Sequence, residues 1–215
     1  SEMEEVRKFR GIYILPALYV IVAYGFGLLA YRLPGMELEK HMGEQLATAV
    51  WILPLTMGVI NLIVVLGFGK RISREQLLHC TLLIKYALIP LYLVGGLGVV
   101  LFFALAFVPL PFMIMIGPVL AIGLCVLGWM ILVGAAPFSI AYLVRARQEG
   151  VHGTFSVILA GIFQFFFALD VISMMVLAVK EKKWVKVTMV VILLTILLAL
   201  LGIVGGIILW WTHIR

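Results

Sequence analysis

Uninterrupted apolar runs of about 20 residues or more recur along the chain, and they restrict what it can fold into. Hydrophobic residues make up 65% of the 215 residues and charged residues only 12%, against about 25% charged in soluble domains. A soluble domain of this length still exposes roughly a third of its chain surface, which this composition could not cover with polar groups. In lipid, helices and closed barrels satisfy the backbone, and barrel strands would alternate apolar and polar residues. The sequence therefore predicts an all-α polytopic transmembrane helix bundle.

Charged clusters and turn signals divide this bundle into about six spans joined by short loops, forming a single membrane domain over 1–215. The predicted spans are about 11–31, 46–69, 82–108, 112–143, 154–179 and 187–211. Pro109 and Pro111 separate the third span from the fourth, because each proline removes a backbone donor and forces its predecessor out of helical geometry. A seven-span alternative splits 77–143 into three short helices, but it places the Pro-Leu-Pro break inside a helix of about 98–117, which lipid disfavours.

The distribution of Lys and Arg predicts the orientation of these spans. With six spans and a cytoplasmic N-terminus, nine of the 16 basic residues lie inside, six lie outside, and Lys85 lies within a span. This bias satisfies the positive-inside rule, although the lysine cluster at 180–186 opposes it. We expect a multi-pass protein of a bacterial plasma membrane, with 109–111 and 180–186 on the non-cytoplasmic side.

Asp170 is the most informative polar residue, because it is predicted to lie near mid-membrane. A carboxylate there costs roughly 2.5–3.5 kcal/mol on insertion scales and often marks an ion or solute path. Ser173 shares its helical face, whereas Gln164, six residues earlier, lies on a different face of a continuous helix. These residues are candidate ligand-binding residues. The alternative is that Asp170 only locks neighbouring helices together.

Lys85 and Asn61 complete the tentative ligand-binding set. Lys85 is the second charged residue inside a predicted span, and Asn61 is the sole asparagine of the chain. Lys85 either extends its ammonium to the membrane interface, as long basic side chains do, or forms a salt bridge with Asp170. Both possibilities follow from the sequence.

Small residues at four-residue spacing predict close helix packing. Gly202 and Gly206 form a Gly-x-x-x-Gly pair in the last span, and Gly117 and Ala121 have the same spacing in the fourth. We expect these faces to pack within the chain rather than between copies of it.

Two functions fit these observations. One is a small-molecule or ion carrier, or a membrane-embedded binding subunit, that uses the buried acid. The other is a non-catalytic accessory protein that acts through helix packing with a membrane partner. The sequence carries no H-E-x-x-H, no G-x-S-x-G and no clustered His or Cys, so we expect no enzyme activity, no metal site and no cofactor. The basic residues flank spans, where orientation and anionic lipid explain them, so no nucleic-acid partner is expected.

Overall fold

Residues 10–32, 51–68 and 71–214 of the chain are described by a computed structural model. Over these residues the protein is all-helical, without a β-strand. The eight α-helices in the described part of the chain are α1 (Ile14–Arg32), α2 (Leu53–Phe68), α3 (Arg74–Ala104), α4 (Met113–Gly134), α5 (Ala136–Gln148), α6 (Thr154–Phe163), α7 (Leu169–Lys180) and α8 (Val185–Ile214). Residues 46–50, the predicted start of the second span, lie outside the described residues.

Within the described ranges, four segments are long and apolar enough to cross a membrane, and they mark the chain as a membrane protein. They are Gly11–Leu29, Arg74–Phe107, Met113–Gly134 and Val185–Gly206. The apolar helices Leu53–Phe68 and Thr154–Phe163 are shorter. A helix of 10 residues is only about 15 Å long, half the thickness of the hydrocarbon core.

The longest helix of the described residues, α3, begins eight residues before the predicted start of the third span at 82 and ends close to its predicted end at 108. Ser73 accepts a hydrogen bond from the Gln76 amide while the Gln76 side chain accepts one from the Ser73 amide, which is the reciprocal capping box of a helix N-terminus. The helix then continues through Pro90 to Ala104 and one 3₁₀ turn. The next helix, α4, starts at Met113, so the Pro-Leu-Pro segment is a turn. The middle helix of the seven-span alternative, about 98–117, is therefore wrong.

Two predicted spans, 112–143 and 154–179, are each divided into two helices. In the first, α4 ends at Gly134 and α5 starts at Ala136, with Pro137 in its first turn. Proline cannot donate to the preceding turn and its ring clashes with the carbonyl four residues earlier, so the helix bends there. In the second, the chain leaves helical geometry after Phe163 and resumes it at Leu169. The break beside Pro137 lies where proline predicts a kink, whereas the expectation of one continuous helix over 154–179 was wrong.

The chain divides into two compact units, 1–174 and 175–215, with the boundary inside α7. In the first unit α3 packs against α1, α4 and α5, and α2 packs against α1, α4 and α5. The second unit contains the last part of α7 and α8. Its Gly202 and Gly206 are exposed, and a Cβ added to either meets no described atom within 4 Å. The prediction that they pack within the chain stays a prediction.

Glycines set the closest helix contacts of the first unit. A Cβ added to Gly117 would lie 2.6 Å from the Phe102 carbonyl oxygen, so the α3–α4 hairpin is closed by a small residue there. Ala121, one turn later, is buried. A second close approach joins α2 to α4, where a Cβ on Gly58 would lie 2.6 Å from the Gly134 Cα. Small residues allow such backbone contacts between membrane helices.

Candidate functional site at a buried ion pair

A buried salt bridge joins the two charged residues of the predicted spans. Lys85 Nζ lies 2.6 Å from Asp170 Oδ2, and both side chains have zero exposed area. Lys85 lies on α3, three turns after its start, and Asp170 lies in the first turn of α7. Of the two alternatives for Lys85, the structure has the salt bridge, and the wholly buried side chain contradicts the alternative in which it extends to the membrane interface. Each charge is compensated by the other, as burial of a charge requires.

The acid of this pair lies beside the break between α6 and α7. Residues 164–168 are held by short-range turns, in which the amides of Gln164, Phe165 and Phe166 each donate to the carbonyl three residues earlier. Ala168 has φ of 63°, a left-handed conformation that costs a residue with a Cβ about 1–2 kcal/mol. Strained residues of this kind persist where the surrounding structure holds them, often at functional sites. The break between α6 and α7 is thus a defined turn, held by hydrogen bonds, immediately before Asp170.

Gln164 bridges the two halves of the broken helix. Its Nε2 donates to the Ala160 carbonyl on α6, at 3.1 Å, and to Ser173 Oγ on α7, at 3.2 Å. Ser173 Oγ in turn donates to the Asp170 carbonyl, at 3.1 Å. The expectation that Gln164 lies away from the face of Asp170 was wrong, because it assumed a continuous helix. The turn at 164–168 brings Gln164 against Ser173, the residue that shares the Asp170 face.

Several polar atoms around the pair have no hydrogen-bond partner among the described residues. They are Asp170 Oδ1, Gln164 Oε1 and the Tyr92 hydroxyl. Tyr92 lies on α3 seven residues after Lys85, hence on the same helical face, and it interacts electrostatically with Asp170 and with Tyr19 of α1. Buried polar atoms are nearly always paired in native proteins. The Asp170 carboxylate is therefore only partly satisfied within the described part of the chain, which makes it a candidate for binding a polar ligand.

Phe167 lies in the break between α6 and α7, and its ring contacts Tyr92. Its ring packs edge-on to Tyr92, with centroids 6.0 Å apart, and a Cβ on Gly128 of α4 would lie 3.2 Å from it. Phe167 also lines an open apolar groove of about 280 Å³ with Ile122, Cys125, Val126 and Trp129. The same ring thus covers Tyr92 and borders the groove.

The structure does not bring the last predicted site residue, Asn61, to the pair. Asn61 is fully buried on α2, and both atoms of its amide lack a partner among the described residues. No hydrogen bond in the described part of the chain joins it to Lys85 or Asp170. The same part of the chain contains no cluster of three His, Cys, Asp or Glu side chains that could hold a metal ion.

Sequence reasoning missed Tyr92, Phe167 and Ala168. Tyr92 could have been found, because the interval of seven residues places it on the Lys85 face. Phe167 and Ala168 carried no such signal, since the break contains neither glycine nor proline.

The sequence model of a family of unknown function, DUF6652, matches residues 11–183. The chain belongs to the DUF6652 family. No curated protein and no solved structure matches it. The match to the DUF6652 model includes the ion pair, the helix break and Gln164, whereas α8 begins after residue 183.

Proposed function

We propose that this DUF6652 protein is a membrane-embedded carrier, or the binding subunit of one, for a small solute or ion. The observation that carries the proposal is the fully buried Lys85–Asp170 pair at the break between α6 and α7. Ionisable residues within membranes are costly and usually mark ion or substrate paths. Carriers place their sites at interrupted helices, where backbone and polar side chains can face a ligand.

The unpaired atoms separate this proposal from a purely structural role. A pair that only held α3 to α7 would be most stable with every polar atom satisfied, since each unsatisfied buried group costs about 1–3 kcal/mol. Here Asp170 Oδ1, Gln164 Oε1 and the Tyr92 hydroxyl lack partners among the described residues. A ligand that bound them would recover this cost. The left-handed conformation of Ala168 adds a second unfavourable contribution to the free energy of folding, which a purely structural helix contact would not need.

The proposal includes six crossings of the membrane, with the broken segment α6–α7 as the fifth. Support comes from the ion pair between Arg74 Nε and Glu149 Oε2, 2.7 Å apart. Arg74 lies at the start of α3 and Glu149 lies just after α5. Because the two residues are in contact, they lie on the same side of the membrane, so the chain between them crosses it twice. We propose that this side is cytoplasmic, because Arg71, Arg145 and Arg147 cluster near the same ends.

A binding assay with a charge-neutral double variant tests the proposed function. Lys85→Gln/Asp170→Asn removes both charges while keeping two polar side chains of similar size, so no unpaired charge is left buried. The matched control, Arg74→Gln/Glu149→Gln, removes an ion pair at the helix ends instead. Purified proteins in detergent micelles are heated with alkali-metal chlorides, methylammonium, amino acids and small carboxylates, and the melting temperature is recorded.

We expect at least one compound to raise the melting temperature of wild type and of the control, but not that of the Lys85→Gln/Asp170→Asn variant. A ligand at 100 times its Kd adds about 2.7 kcal/mol to stability, a readily measured shift. If the double variant melts like wild type and responds to every compound in the same way, the pair is a structural clasp. The accessory function through helix packing would then replace the carrier function.

A further inference from the structure

The unpaired atoms of the site specify the chemistry of its ligand. Asp170 uses one carboxylate oxygen for Lys85, and its other oxygen has no partner among the described residues. Gln164 donates through Nε2 to the Ala160 carbonyl, which can only accept, so the orientation of its amide is fixed and its unpaired atom is the oxygen. Two buried acceptors without donors favour an electropositive ligand.

The Tyr92 hydroxyl, also unpaired among the described residues, can accept from such a ligand as well. Carboxylate, carbonyl and hydroxyl oxygens are the ligands that hard cations prefer. An anion would bind poorly, because the Gln164 Nε2 donor already has hydrogen-bond partners and the Asp170 carboxylate would repel it.

Charge balance then determines what must leave when a cation binds. The Lys85 ammonium and the Asp170 carboxylate together carry no net charge, and both are wholly buried. A bound monovalent cation would leave one uncompensated positive charge, which is expensive away from water. The site returns to neutrality if the Lys85 ammonium loses one proton and becomes an amine. Buried lysines change protonation more readily than other basic side chains.

We propose that the site exchanges a monovalent cation, an alkali-metal ion or a small ammonium, for the proton of Lys85. The cation forms its contact with the Asp170 carboxylate as the N–H bond of the Lys85 ammonium breaks, and the proton leaves to solvent. No electron is transferred. Among the described residues, Tyr92 of α3 is a titratable group near Asp170, and Tyr19 of α1 is near Tyr92. Phenols are neutral at pH 7. This inference rests on the proposed function and names its substrate class.

Proton release on cation binding is the direct test. Purified protein in weakly buffered detergent solution with a pH indicator is titrated with sodium chloride, potassium chloride or methylammonium chloride, and choline chloride serves as the ionic-strength control. Wild type is expected to release about one proton per cation bound, with saturation, for at least one of the three probes. Saturation by sodium or potassium identifies an alkali-metal site, and saturation by methylammonium alone identifies an ammonium site.

Variants assign the released proton to Lys85. Lys85→Gln should bind the same cation, as measured by isothermal calorimetry, without proton release, because its side-chain amide does not ionise near neutral pH. Asp170→Asn and the Lys85→Gln/Asp170→Asn variant should neither bind nor release. Lys186→Gln, an exposed lysine outside the site, should release as wild type does.

Three results would overturn the inference. Equal proton release from wild type and Lys85→Gln would assign the proton to another group. Binding of a neutral or anionic solute that requires Asp170, without proton release, would refute the exchange while leaving the proposed carrier function in place. If no solute or cation binding depends on Asp170, both proposals fail together.

Discussion

Lys85 Nζ and Asp170 Oδ2 lie 2.6 Å apart although 85 residues separate them in sequence. Each residue stands on a different helix, and neither side chain has exposed area. The two charges therefore depend on each other, since removing one leaves the other buried and uncompensated. Ser173 Oγ donates to the backbone carbonyl of Asp170, and Gln164 Nε2 donates to Ser173 Oγ.

We expect Lys85→Met and Asp170→Leu each to destabilise the protein strongly and the double variant to recover most of the loss. Loss of one partner of a buried ion pair costs about 3–5 kcal/mol, whereas replacing both by apolar residues is often nearly neutral. Thermal unfolding of the four proteins in detergent, analysed as a double-mutant cycle, measures the coupling. Additive losses would mean that the two residues do not interact in the folded protein.

Much of the fold could be predicted from the pattern of apolar runs, because the positions of helices and turns depend on residues close together in sequence. Helices form over long apolar segments because lipid leaves backbone groups no other partner, and Pro109 with Pro111 predicted the turn before α4. The bend at Ala135 also had a local cause in Pro137. These features depend on residues close together in sequence.

The candidate site could be predicted only in its composition, because its geometry depends on distant residues. Asp170 and Lys85 stood out as rare charges, but their pairing requires the relative positions of α3 and α7. The break at 164–168 carries no glycine or proline, so a continuous helix was expected and Gln164 was placed on the wrong face. The small-residue pattern highlighted Gly202 and Gly206 but not the close contact of Gly58 with Gly134, whose spacing along the chain has no periodic signature.

We expect Ala168→Gly to raise thermal stability or leave it unchanged. Ala168 has φ of 63°, and glycine adopts this conformation without the penalty of about 1–2 kcal/mol that a Cβ imposes. The gain is partly offset by the larger backbone entropy of glycine in the unfolded chain. The melting temperature in detergent measures the balance.

The control for this change is Ala199→Gly, at an exposed position inside α8. Glycine in a regular helix costs about 0.5–1 kcal/mol relative to alanine, so this variant should melt at a lower temperature. Equal losses at both positions would show that Ala168 is not held in a left-handed conformation.

We expect Gly58→Ala to destabilise the first unit. The added Cβ would lie 2.6 Å from the Gly134 Cα, and the obstructing atoms belong to backbone, so α2 and α4 must separate. Overpacking of this kind costs typically about 1–3 kcal/mol. Unfolding in detergent followed by circular dichroism gives the change in stability.

Gly67→Ala on the same helix is the matched control for Gly58→Ala. A Cβ at Gly67 meets no described atom within 4 Å, and alanine is the better helix former by about 1 kcal/mol. This variant should be as stable as wild type or more so. A similar loss from both substitutions would indicate a general intolerance of α2 rather than the contact with Gly134.

The topology prediction can be tested with single cysteines in a chain whose Cys80 and Cys125 are replaced by alanine. Leu110 lies in the turn between α3 and α4 and is 54% exposed, and Lys186 at the start of α8 is exposed. With six crossings, Leu110→Cys and Lys186→Cys should react with a membrane-impermeant maleimide added to intact cells. Arg71→Cys, exposed before α3, should react only after permeabilisation.

The broken segment of α6 and α7 makes the Lys186 result decisive. Its halves, α6 with 10 residues and α7 with 12, are about 15 and 18 Å long, so each is too short to cross the roughly 30 Å hydrocarbon core alone. If the halves run in succession through the bilayer, Lys186 lies on the same side as Leu110. If they form a re-entrant loop, Lys186→Cys reacts only after permeabilisation while Leu110→Cys still reacts from outside. Reaction of Arg71→Cys from outside, with Leu110→Cys protected, would instead invert the predicted orientation.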